Sequence, residues 1–169
     1  RRLFAMRIVA LETMRALEPF SPRLIGSVST GHVRRGSDVD VHVFDDHEEN
    51  VERFLRQLGW TFERERVDIQ KCGEVRSYVH FHVADVLPVE LTLYSRRELA
   101  VCPRSSTDGK PIVRVSVPKL EEVLAREHAE AWRAYLDDGT VDGMDELYVD
   151  DDAAAEPGGA YDGLLRDWE

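Results

Sequence analysis

The chain has 169 residues, of which 43% are hydrophobic and 33% are charged, and its formal net charge is −11. This length suits one domain with a buried core. Its apolar runs are shorter than the roughly 20 residues that a membrane helix needs. The sequence has two cysteines, Cys72 and Cys102, which are too few for a disulfide framework. We therefore expect a cytoplasmic protein without a membrane partner. We expect no signal peptide, and because the chain begins at Arg1 rather than Met, we expect that an upstream segment is missing or has been removed.

The negative charge is concentrated near the C-terminal end. Twelve of the 33 acidic residues, but only one of the 22 basic residues, Arg166, follow position 136, so the preceding body carries 21 of each. A neutral body with an acidic tail is a poor electrostatic partner for nucleic acid. We predict one domain over residues 1–136 and an acidic tail over residues 137–169. The tail contains apolar residues such as Trp168, so we expect it to be partly docked, and it is a candidate contact for a protein partner.

The spacing of apolar residues predicts the secondary structure. It predicts an amphipathic helix over residues 1–17, a short strand over 22–25, a short helix or turn over 27–34 and a strand over 39–44. A helix over residues 47–58 follows, then three strands over 61–70, 79–83 and 89–93, and a last helix over 118–136. The strand at residues 61–70 is highly charged and is placed near a sheet edge. Asp46 is expected to cap the helix that Gly59 ends. Residues 105–111 carry a turn signal and are predicted to form a loop.

The last two predicted strands form a hairpin. Their apolar residues share one face if the loop has an odd number of residues, and the two plausible registers place position 81 opposite position 89 or position 91. In either register Glu90 lies on the polar face, opposite His80 or His82.

Carboxylates gather on the polar face of the predicted sheet. Alternation places Asp38, Asp40 and His42 on one face of a strand whose valines occupy the other. Neighbouring carboxylates repel each other, and a bound divalent cation is the commonest reason to keep them together. With Glu90 on another strand, three hard oxygen donors suit one or two Mg²⁺ ions, or Mn²⁺, which keep waters and bridge phosphates.

The turn at Gly26 and Ser27 precedes a predicted short helix or turn. A helix that starts there would offer backbone N–H groups and the positive end of its dipole to a phosphate.

These residues resemble a known signature. G-S-x-x-x-G starting at Gly26, S-D-x-D at residues 37–40 and the later acidic strand around Glu90 are similar to the motifs of the DNA polymerase β-like nucleotidyltransferase superfamily. The resemblance is to its small bacterial "minimal nucleotidyltransferase" members, and it covers roughly residues 22–94. Many members carry Arg immediately before the second glycine, where this chain has Thr30. We expect Arg34 or Arg35 to take the place of that arginine.

The resemblance implies a nucleotidyltransferase fold of the α+β class, with a mixed or antiparallel sheet of about four to five strands and helices packed on one face. It also implies transfer of a nucleoside monophosphate from an NTP to a hydroxyl of a small molecule or a protein. Asp38, Asp40 and Glu90 would be both the catalytic and the metal-binding residues. The nucleotide-binding residues would be Gly26, Ser27, Ser37 and Arg34.

Three histidines, His42, His80 and His82, fall on the same face and are candidate accessory residues. Two other interpretations of the chain stay open. One is a catalytically silent module with this fold that binds a partner protein, as an antitoxin does, and the other is metal storage or simple phosphate binding. The three carboxylates favour the enzyme, because a silent module has no need to retain them.

Overall fold

The computed structural model describes residues 1–71, 73–102, 104 and 108–148. Five helices, α1 to α5, span Arg2–Ala16, Gly26–Thr30, Glu48–Gln57, Val117–Glu127 and Ala129–Asp138. Five strands, β1 to β5, span Arg23–Ile25, Val39–Phe44, Phe62–Lys71, Glu74–Val83 and Val89–Tyr94. Further helical segments of three to five residues occupy Glu18–Phe20, Arg96–Ala100 and residues 144–148. No helix in these ranges has both the length and the apolar character to cross a membrane.

The five strands form one mixed sheet in the order β1-β2-β5-β4-β3. β2 and β5 are parallel, whereas the other three neighbouring pairs are antiparallel. The predicted α+β class with a mixed sheet is confirmed, and β3 lies at an edge as expected. Val39, Val41 and Val43 are fully buried in the core against the helices. The alternate residues of β2 are therefore left on the opposite face, which carries the candidate site.

Helix α1 is the centre of the core. Its pattern predicted an amphipathic helix with one apolar face, but ten of its fifteen residues are buried, including Ala5, Ala10 and Thr13 between the larger apolar positions. The helix is enclosed because it contacts β1, β2, α2 and α4. Small residues permit this close packing, and a count of large apolar residues overlooks them.

Two details of the predicted helices are wrong. Asp46 does not cap α3, since that helix begins at Glu48 and Asp46 instead accepts a hydrogen bond from the backbone N–H of Arg96 at 3.0 Å. The single helix predicted over residues 118–136 is divided into α4 and α5 by His128, whose backbone is not helical. No Gly or Pro marks this break in the sequence, and at the break the ring of His128 contacts the guanidinium of Arg7 at 3.0 Å.

Arg7 is the one arginine of α1 that lies in the interior, where it is 1% exposed. Its guanidinium donates hydrogen bonds to the backbone carbonyls of Val28 at 3.0 Å and Ser29 at 3.1 Å, both in α2. It also pairs with Glu127 at the end of α4 and contacts His128. The buried guanidinium of Arg7 therefore links α1 to α2 by hydrogen bonds and to α4 by an ion pair.

The first part of the predicted tail packs on the body. Arg1 forms ion pairs with Asp142 and Asp145 at 2.9 and 3.3 Å, and Leu147 is 3% exposed. Residues 149–169 lie outside the described part of the chain. The division at position 136 therefore stays a prediction, and so does the role of the tail.

Replacing Arg7 tests this central contact. Arg7→Met is expected to lower the free energy of unfolding by about 2–4 kcal/mol, because a buried and a partly buried carbonyl lose their donor and Glu127 loses its cation. Urea unfolding followed by circular dichroism measures the change. Arg15→Met on the same helix is the control, because Arg15 is exposed and its ion pair with Glu121 contributes less than about 1 kcal/mol. Equal losses in the two variants would contradict a central role for Arg7.

Candidate metal centre

The parallel pairing of β2 with β5 brings the predicted carboxylates together. Asp40 lies directly opposite Glu90 in this pair, and Asp38 immediately precedes β2. One carboxylate oxygen from each of the three residues lies within 4.8 Å of the others. These distances suit a shared divalent cation with oxygen ligands. Across the antiparallel pair of β4 and β5, Phe81 lies opposite Leu91, so one of the two predicted registers is present and Glu90 lies opposite His82.

The side chains around these three carboxylates do not supply enough positive charge to balance them. Burial, followed by the charges of Asp38 and Glu90, raises the pKa of Asp40 to about 8. Burial and then the Glu90 charge also raise the pKa of Asp38. Glu90 differs, because a hydrogen bond from His80 lowers its pKa despite burial. A hard divalent cation would supply the missing positive charge, so the donor set fits Mg²⁺ or Mn²⁺ chemically.

Gly26 lies directly beside the carboxylates. A Cβ at this position would stand 2.7 Å from Oδ2 of Asp40, and the residue has a φ of +76°, which side-chain-bearing residues rarely adopt. The backbone that starts α2 therefore approaches Asp40 as closely as it does because residue 26 has no side chain. The predicted glycine turn and the predicted strand carboxylates form one continuous site.

The other predicted nucleotide-binding residues lie in or beside this turn. Ser27 follows Gly26 in α2, and Thr30 donates a hydrogen bond from its hydroxyl to the backbone carbonyl of Ser27 at 3.3 Å. The hydroxyl of Ser37 accepts a hydrogen bond from the backbone N–H of Arg34 at 2.8 Å. Ser37 thus shapes the loop before β2, and Arg34 is exposed. Their roles in nucleotide binding stay predictions.

Each candidate histidine contacts a different side chain. His80 Nδ1 lies 3.0 Å from Oε1 of Glu90, whereas His82 Nε2 lies 2.9 Å from Oε2 of Glu65. His42 Nδ1 accepts a hydrogen bond from Nε of Arg114 at 3.0 Å. The contact of His80 therefore joins this histidine directly to one of the three carboxylates.

Arg114 is a residue of this face that the motifs did not indicate. Its guanidinium lies over the rings of Phe44 and Tyr94, at 4.7 and 5.1 Å, and donates to the carbonyls of Glu98 and Val101. It therefore holds the segment after β5 across the aromatic end of the face. The alternation of Val113, Val115 and Val117 around it was the available sequence signal, and Val115 indeed bridges to β1.

Comparisons with known proteins identify no family. No protein-family model matches the chain, and no curated protein matches it significantly in sequence. A cytoplasmic RNA terminal U-transferase superposes with a TM-score of 0.35 and 20% identity, over 58% of this chain and 30% of its own. An antigenic nucleotidyltransferase-like protein from Paracoccidioides brasiliensis superposes with a TM-score of 0.32 and 17% identity, over 92% of this chain and 78% of its own. Superpositions this weak carry no argument, so the functional case depends on the site.

The charge of Asp40 gives a pH dependence of known sign. A carboxyl whose pKa rises from 3.8 to about 8 on folding binds more protons in the folded state, so stability without metal should fall as pH rises through that range. Asp40→Asn removes this titration and is expected to raise the free energy of unfolding at pH 8 by on the order of 1–3 kcal/mol. Urea unfolding at pH 5, 6.5 and 8 with a chelator measures this. A variant that follows the wild-type pH curve would exclude the predicted cost.

The contact at Gly26 has a matched control. Gly26→Ala and Gly36→Ala both place a side chain at positive φ, but a Cβ at residue 36 meets nothing within 4 Å. Gly26→Ala is expected to weaken Mn²⁺ binding about tenfold or more, because the new methyl group displaces Asp40, and Gly36→Ala should change it little. Titration of Mn²⁺ followed by electron paramagnetic resonance gives both affinities. Similar losses in the two variants would point to backbone strain instead.

Proposed function

We propose that this protein is a metal-dependent nucleotidyltransferase that moves a nucleoside monophosphate from an NTP to a hydroxyl group. The observation that carries the proposal is the meeting of Asp38, Asp40 and Glu90 directly against Gly26. Partly buried carboxylates whose pKa values are raised, as those of Asp38 and Asp40 are, are costly unless a cation uses them. The motif resemblance, which spans the glycine turn and both acidic strands, gives that cation site its reaction class.

Each residue has a defined role in this proposal. Asp38, Asp40 and Glu90 hold one or two Mg²⁺ ions, with Mn²⁺ as an alternative. The bound metal would neutralise the triphosphate and activate the attacking oxygen, so the residues act mainly by positioning and electrostatics. Gly26 and Ser27 bring backbone close to the carboxylates, where it would contact the triphosphate.

The remaining nucleotide contacts follow from the loop before β2. The hydroxyl of Ser37 is engaged with the backbone of Arg34, so Ser37 would act by shaping the loop. Arg34 is exposed and is the proposed cationic contact to phosphate in place of the arginine that Thr30 replaces.

The acceptor is proposed to be a small molecule or a protein. A body with equal numbers of acidic and basic residues gives nucleic acid no electrostatic advantage. We assign the protein to the small bacterial type of nucleotidyltransferase and to the cytoplasm on the motif pattern and the cysteine content alone. The acidic tail is the proposed contact for a protein partner.

Radiolabelled NTPs test the proposal. Each of the four α-labelled NTPs is incubated with Mg²⁺ or Mn²⁺, the protein and a panel of hydroxyl-bearing acceptors, and label transfer and pyrophosphate release are measured. Asp38→Asn with Asp40→Asn is expected to reduce the rate at least 10³-fold, because charge compensation is the main catalytic contribution here. Glu48→Gln, on the opposite side of the sheet, is the control and should retain activity.

The alternative interpretations predict different outcomes. Metal-dependent NTP binding without transfer to any acceptor would favour a silent module. Metal binding without nucleotide selectivity would favour storage. Transfer that survives the double substitution would exclude the carboxylates as the catalytic site.

A further inference from the structure

We propose that His80 is a positioning residue that fixes the Glu90 carboxylate for metal binding, and that it is not itself a ligand. Its Nδ1 lies 3.0 Å from Oε1 of Glu90, within the range of a charge-assisted hydrogen bond. The inference rests on the metal centre of the proposed function. It adds a residue outside the three carboxylates on which their geometry depends.

The contact defines which nitrogen carries the proton. Nδ1 of His80 lies 3.0 Å from Oε1 of Glu90, and a carboxylate that binds a metal is ionised and only accepts hydrogen bonds, so Nδ1 donates. A nitrogen that donates a proton cannot ligate a metal with the same lone pair. One oxygen of Glu90 accepts from His80, which leaves the other oxygen available to a cation.

Glu90 needs this support more than its neighbours do. Its side chain has one more rotatable bond than that of an aspartate, so its oxygens can occupy more positions. Asp40, by contrast, lies against the backbone of Gly26, and Asp38 has the shorter side chain of an aspartate. His80 supplies the corresponding restraint for Glu90.

His80 is itself held on a rigid part of the sheet. Its strand, β4, is paired on both sides, with Thr92 of β5 and Glu65 of β3 as the partners of residue 80. The ring of His82, which contacts Glu65, lies edge-on to the ring of His80, with 6.2 Å between centroids. The donor therefore points at Glu90 from a fixed backbone, as outer-shell partners of metal ligands do.

Two variants of equal size isolate the hydrogen bond. Asn places its amide nitrogen close to where His carries Nδ1, whereas Leu has nearly the shape of Asn but no donor. His80→Leu is expected to weaken Mn²⁺ binding about 10–100-fold, and His80→Asn should recover the affinity to within about threefold of wild type. Electron paramagnetic resonance titration of Mn²⁺ measures the affinities, and circular dichroism checks folding.

A double-substitution cycle tests whether the effect passes through Glu90. In a Glu90→Ala background, His80→Leu should cause no further loss of Mn²⁺ affinity, because the group that it positions is gone. His82→Leu, on the same strand and face, should weaken binding much less than His80→Leu. A comparable loss from His82→Leu, a full loss in the Glu90→Ala background or no recovery with Asn would each overturn the inference.

The same titration separates the two proposals. If wild type binds no Mn²⁺, both the metal centre and the role of His80 are wrong. If binding is present and His80→Leu leaves it intact, only the positioning role is wrong. If the histidine cycle behaves as expected but no NTP is turned over, the positioning role stands and the proposed transfer fails.

Discussion

The site depends on one feature of the sheet, the parallel pairing of β2 with β5. This pairing sets Asp40 beside Glu90 and forces carboxylates that repel each other into a partly buried group. Burial of apolar residues offsets this repulsion, since the valines of β2 and the apolar residues of β5 are buried in the core on the other face. The other features of the site accommodate carboxylates that lie this close together. Gly26 leaves room beside Asp40, and His80 contacts Glu90.

Local patterns predicted most of this arrangement because strand alternation and turn chemistry are short-range properties. The two faces of β2 follow from alternation alone, and Gly59 ends α3 as its position after the apolar run predicts. The hairpin was reduced to two registers by the requirement that apolar residues share a face, and one of them is present. The three-carboxylate group could therefore be predicted from spacing together with the motif resemblance.

Long-range contacts account for what the patterns missed. Nothing near His128 in the sequence indicates a break, and the partner that His128 contacts there, Arg7, lies more than a hundred residues earlier. The burial of α1 on most sides depends on which elements surround it, and its own spacing cannot report that. Similarly, the partners of His42, His80 and His82 lie on other strands or on the segment after β5, so the sequence placed all three on one face without separating their contacts.

The enclosed position of α1 has a consequence for synthesis of the protein. This helix precedes every other described element, yet one of its walls, α4, is made about a hundred residues later. Because the ribosome adds roughly 5–20 residues per second, the apolar surface of α1 stays exposed for several seconds before the core can form. During that time the nascent chain exposes Phe4, Ile8 and Leu11, which the folded core buries, so aggregation competes with folding until α4 is made.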